Sequence, residues 1–124
     1  MAAEIGQAMV ETAMVIMVLM LLLMGIFDFG RVVVIYASMT AAAQDAAHMG
    51  ALTSNTGVIQ TTAIEGTVMA VPTVTVVRTT TYTNVTVTTT FRPITPFISV
   101  FTGSSGIVLT QSARVAILGT VVSP

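Results

Sequence analysis

The chain has 124 residues, of which 54% are hydrophobic and only 7% charged, with a net charge of −1 and no cysteine. This leaves room for one small domain plus an anchor, and the charged fraction lies far below the roughly 25% of an average soluble chain. There is no basic tract for a nucleic acid, no disulfide, and no CxxC metal or redox site.

Residues 1–6, Met1-Ala2-Ala3-Glu4-Ile5-Gly6, form a short lead without a basic residue. Gln7 follows, then an all-round apolar run over residues 13–27. At about 1.5 Å per helical residue, residues 7–27 make about 30 Å of helix, the thickness of a bilayer core. One carboxylate, Glu11, sits near the start of this segment. An ionised group in hydrocarbon costs several kcal/mol, so Glu11 either meets a partner in an assembled core or stays wet at headgroup level. The position of Glu11, fifth after Gly6, resembles the spacing of a type IV prepilin N-terminus. A cleaved signal peptide is the weaker reading, because the lead lacks positive charge and the helical pattern runs on past the apolar run. A permanent single-span anchor remains open.

The helix should continue past the apolar segment, over about residues 5–49 in total. Beyond Phe29, apolar residues recur at Val32, Val33, Tyr36, Met39, Ala43, Ala46 and Ala47, the spacing of one helix face. Arg31, Ser38, Asp45 and His48 fall on the other side. Asp28 and Arg31, three apart, are placed to pair with each other or across subunits. Gly25 and Gly30 sit inside this helix at a cost of about 1 kcal/mol each against Ala, which points to local unwinding or close helix contact. His48, with only Asp45 beside it, makes a poor metal ligand and reads as a surface residue.

Gly50 reads as a helix stop, followed by a loop at residues 53–57 and a short helix over residues 58–65 closed by Gly66. Composition then turns to Thr and Val. Residues 71–78, 82–91 and 107–117 read as strands. In the second, Val85, Val87 and Phe91 alternate with Asn84, Thr86 and Thr88. In the third, Ile107, Leu109, Ala113, Val115 and Ile117 alternate with Thr110, Ser112 and Arg114. Each strand has one core face and one wet face. The prolines in Arg92-Pro93-Ile94-Thr95-Pro96 end a strand, and Ser104-Ser105-Gly106 reads as a loop. Asn84-Val85-Thr86 matches the N-glycosylation acceptor pattern, a match that a Thr-rich strand produces by chance. The expected fold is α+β: a long N-terminal helix with a small antiparallel sheet packed on its second half. The expected organisation is a lead at 1–6, a membrane or filament-core helix at 7–27, its amphipathic continuation at 28–50, a loop and short helix at 51–66, and a Thr/Val-rich β domain at 67–124.

Three stretches, in order, resemble the TadE-like proteins. Gly6-Gln7-Ala8-Met9-Val10-Glu11-Thr12-Ala13 is similar to their G-(Q/A)-A-x-V-E-F-A opening. Gly25-Ile26-Phe27-Asp28-Phe29-Gly30-Arg31 is similar to G-I-x-(E/D)-F-G-R. Tyr36, Thr40 and residues 41–48 resemble Y-x-x-x-T-x-A-A-R-E-G-A-R. Thr12 stands where the family has an aromatic, Met17 where it often has proline, and Gln44 and His48 where it has basic residues. Such proteins are small pilins or pseudopilins of the tight-adherence (Tad) branch of type IV filament systems. The resemblance implies a pilin-like fold and a prepilin peptidase cut between Gly6 and Gln7, after which Glu11 of one copy neutralises the new amine of another. If residues 1–6 remain, as their acidic, Arg- and Lys-free character argues, Glu11 needs backbone amides, a hydroxyl such as Thr12, or a proton.

An enzyme is not expected: there is one histidine, no cysteine, no phosphate loop and no clustered carboxylates. No cofactor is expected either. Two classes remain. One is a structural filament subunit, polymerising through its apolar helix, with Glu11, Leu21, Leu22, Leu23, Asp28 and Arg31 as subunit contacts. Its partners are further copies in a helical polymer, the inner membrane before assembly, and the peptidase and assembly platform; after assembly it is an extracellular fimbrium. The other is a membrane-held minor pseudopilin, assembly factor or adhesin.

Overall fold

The structure is a computed structural model and describes residues 2–95, 98, 100, 103 and 105–118. Met1 of the lead, Pro96 of the strand terminator, Ser104 of the loop and residues 119–124 of the β domain lie outside the described residues. Helix α1 is Ala2–Leu52, α2 is Thr56–Gly66, and the strands are β1 (Thr73–Arg78), β2 (Tyr82–Phe91) and β3 (Ile107–Ala116). The α+β arrangement and the three antiparallel strands agree with the reading of the sequence.

α1 is unbroken for 51 residues. No proline interrupts it, and Ala, Leu, Met, Gln and Glu favour the helix. Gly25 and Gly30 do not break it, and a Cβ at either would meet nothing within 4 Å, so no close contact among the described residues requires them. The helix also passes Gly50, the expected stop, and ends at Leu52. Gly50 serves packing instead: β2 crosses so closely that a Cβ there would collide with the Thr83 side chain. The Gly50 carbonyl accepts from Thr83 Oγ1 at 3.0 Å and from Arg78 Nε at 3.2 Å. Gly50→Ala is therefore expected to destabilise the domain by about 1–3 kcal/mol through overpacking. Thermal unfolding followed by circular dichroism checks this, and an unchanged Tm would show that β2 yields freely.

The buried stripe of α1 is rotated from the expected one. Ile35, Met39, Ala42, Ala43, Ala46 and Ala47 are buried, whereas Val33 and Tyr36 are about half exposed. Side-chain size decides this. The alanines let α2 and the sheet approach the helix axis, and Tyr36 on that side would hold them off. Ser38, expected on the wet side, is half-buried and accepts from Val68 N–H at 3.2 Å.

α2 starts at Thr56, two residues before the expected start, because Asn55 caps it. Its side-chain oxygen accepts from the N–H groups of Gly57 at 3.0 Å and Val58 at 3.4 Å, supplying partners that a helix N-terminus lacks. Ile59 and Ala63 face the core, and Gly66 lies against the backbone of Ala42.

The strand order is β1-β2-β3, with Val76 opposite Val85 and Val85 opposite Ala113. The core face of β2 carries Thr83, Val85, Val87, Thr89 and Phe91, all buried. The Thr79–Thr81 cluster forms the β1–β2 turn, where Thr79 N–H donates to Tyr82 O at 2.9 Å. β2 runs antiparallel to α1, with Thr83 on Gly50 at one end and Phe91 by Arg31 at the other. The two paths match: 19 helical residues and 8 strand residues each span roughly 27 Å. The sheet thus covers α1 only from Asp28 onward, and the preceding segment projects from it.

Candidate functional site

Two regions carry the residues singled out in the sequence: the projecting half of α1, and the junction where the domain closes on it.

On the projecting half, every large apolar side chain from Ile5 to Phe27 is between 40 and 72% exposed. Leu21, Leu22 and Leu23 are among them and point in successive directions round the helix, about 100° apart. Leu21 and Leu22 also line an apolar groove of about 510 Å³ with Gly25 and Ile26, roofed by Thr95 and Ile98. Gly6, Gln7 and Glu11 share a shallow surface hollow with Val10, Met14 and Val15. The Glu11 side chain is exposed and makes no hydrogen bond or ion pair among the described residues. The Thr12 hydroxyl is not its partner, because it donates to Ala8 O at 2.9 Å. This helix is long and apolar enough to cross a membrane.

At the junction, Asp28 is 3% exposed. Its Oδ1 accepts from Ile94 N–H at 3.1 Å and its Oδ2 from Thr95 N–H at 2.8 Å. Arg31 Nη1 lies 3.6 Å from Oδ1, so the pair expected from the i, i+3 spacing is present but loose. The guanidinium also sits over the Phe91 ring, 5.3 Å from its centroid. Burial works to raise the Asp28 pKa. The Thr95 hydroxyl nearby, the Thr95 and Ile94 amides and the Arg31 charge together outweigh it, and the carboxyl is held below its ordinary value. A carboxylate on two amides at the end of the anchor makes a clamp: it ties the segment after β2 to the helix where the apolar run stops. The sequence offered no sign of the amide partners, which are backbone groups 66 and 67 residues away. The prolines that end β2 were the nearest available signal.

Among the described residues no cluster of His, Cys, Asp or Glu could hold a metal ion. The arrangement is that of a small sheet domain fixed rigidly to an apolar helical anchor. The family model of the TadE-like proteins matches residues 6–48, so this N-terminal segment is similar to those proteins. It spans both the projecting half with Glu11 and the Asp28–Arg31 part of the clamp. No curated protein and no solved structure matches the chain.

Proposed function

We propose that the chain is a structural subunit of a Tad-like pilus, held in the bacterial inner membrane by α1 and then polymerised through the same helix into an extracellular filament. One observation carries this reading: the large apolar side chains of the 5–27 segment are exposed on all sides, with few partners among the described residues. A bilayer covers such a helix first, and neighbouring copies of the helix cover it afterwards. A contact between different faces of successive copies does not close on itself and generates a helical polymer. The role asks for no catalysis and no cofactor. Electron microscopy of the purified protein tests the reading. Long regular filaments support it. Detergent-soluble monomers alone would favour a minor pseudopilin, an assembly factor or an adhesin.

Glu11 is the candidate register element of the filament core. Its carboxylate is without a partner among the described residues, and in a dry core it must be paired or neutral. If a prepilin peptidase cuts after Gly6, the amine of Gln7 on a neighbour is the partner. Intact mass of the mature protein reads the cut directly. Glu11→Ala is expected to reduce filament yield about tenfold or more, the equivalent of losing one charge-assisted contact. Wild-type yield from that variant would make Glu11 a bystander.

A further inference from the structure

The four arginines divide into two pairs. Arg78 and Arg114 lie at the end of the sheet far from the anchor and are engaged: Arg78 Nε donates to Gly50 O, and Arg114 stacks on Tyr82 at 4.3 Å. Arg31 and Arg92 lie at the anchor end and line one hollow of about 400 Å³ with Phe91, Thr73, Thr88 and Thr90. Arg31 contacts Asp28 and the Phe91 ring but its side chain makes no hydrogen bond among the described residues and keeps 32% of its surface exposed, and the exposed Arg92 side chain has none of these partners among the described residues. Asp28 offsets part of the Arg31 charge from 3.6 Å but forms no ion pair with Arg92 among the described residues, so the hollow keeps a net positive charge. Asp28 is not in the lining, and its oxygens already hold two amides. The hydroxyls of Thr73 and Thr90 are also unengaged among the described residues. Met69 and Val71, 63 and 91% exposed, add an apolar lip.

Position gives this chemistry its meaning. Arg31 follows Phe27 by four residues, about 6 Å along the helix axis. The headgroup layer on each side of a bilayer core is about 5–8 Å deep. With residues 7–27 in hydrocarbon, the hollow opens at the level of lipid phosphates. Guanidinium groups match phosphate oxygens in geometry and charge, hydroxyls add neutral donors, and the lip meets the first carbons of an acyl chain.

We propose that this hollow holds the phosphodiester of an anionic phospholipid, gripped by Arg31 and Arg92, while the chain is anchored in the bilayer. The proposal rests on the membrane-anchor part of the reading above and not on polymerisation.

The test uses the full chain in phosphatidylcholine vesicles containing a minority of phosphatidylglycerol. Flotation comes first, then native mass spectrometry of the lipid retained after transfer to detergent. The wild type is expected to retain phosphatidylglycerol in preference to phosphatidylcholine. Arg31→Gln with Arg92→Gln is expected to lower that preference about tenfold or more, and Arg78→Gln with Arg114→Gln to leave it unchanged. Arg31 touches Asp28 and Phe91, so Arg92→Gln alone, at an exposed position, serves as the variant that keeps the fold and is expected to lose several-fold. Equal preference in wild type and Arg92→Gln, or no preference in the wild type, overturns the proposal. Displacement of the lipid by inorganic phosphate overturns the lipid assignment in favour of free phosphate. A chain that floats without preference defeats this proposal alone, and a chain that fails to float defeats the anchor reading with it.

Discussion

Replacing Leu21, Leu22 and Leu23 with serine is expected to abolish filaments while the sheet domain stays folded. The three side chains are exposed in the single chain and face successive directions round the helix, so together they meet whatever surrounds it. A fully buried leucine contributes about 1.5–3 kcal/mol, and three in every subunit of a polymer amount to several kcal/mol per contact. The rest of the 5–27 segment remains apolar enough to stay in the membrane. Electron microscopy of sheared surface material reads the filaments, and circular dichroism of the purified protein reads the fold. The groove refines the expectation. Leu21 and Leu22 line it beneath Thr95 and Ile98, and Leu23 does not. Filaments of normal length and number from the triple variant would rule out a helix-packed core.

Asp28→Ala is expected to give the largest loss of stability in the chain. It strips the Ile94 and Thr95 amides of their acceptor, and Thr95 is buried. The buried Thr95 amide is left unsatisfied at a cost of about 1–3 kcal/mol, and the part-buried Ile94 amide loses a charge-assisted bond but regains water, so the loss is about 2–3 kcal/mol. For a domain of this size that lowers Tm by roughly 10 °C or more. Asp28→Asn should fall between, since its single carbonyl oxygen serves one amide and its NH₂ group faces the other. The pH dependence follows from the direction of the shift. The folded pKa is depressed, so between it and the unfolded value near 3.8 the unfolded chain binds more protons. Stability from Asp28 is therefore complete above about pH 5 and is lost as pH falls through the folded pKa. Acid unfolding monitored by circular dichroism should show a slope below about pH 4 that Asp28→Ala lacks. A variant with wild-type Tm and an unchanged acid slope would show that the loop after β2 does not depend on the clamp.

Periodicity and residue type made the elements legible. An unbroken apolar run without proline requires a long helix, and alternating β-branched residues require strands, because both follow from local geometry. The TadE-like segment was readable for the same reason: its signals sit at fixed short spacings along one helix. Tertiary packing decided the rest. Gly50, a stop by local rule, is helical because Thr83 must approach it and its carbonyl finds two donors there. The buried stripe turned toward Ile35 and Ala42 because small side chains, not merely apolar ones, let the sheet close. Asp28 and Arg31 could be paired from their spacing. The amides that hold Asp28 and the convergence of Arg31 with Arg92 on one hollow depend on residues some 60 positions apart, which are brought together only by β2 running back along the helix.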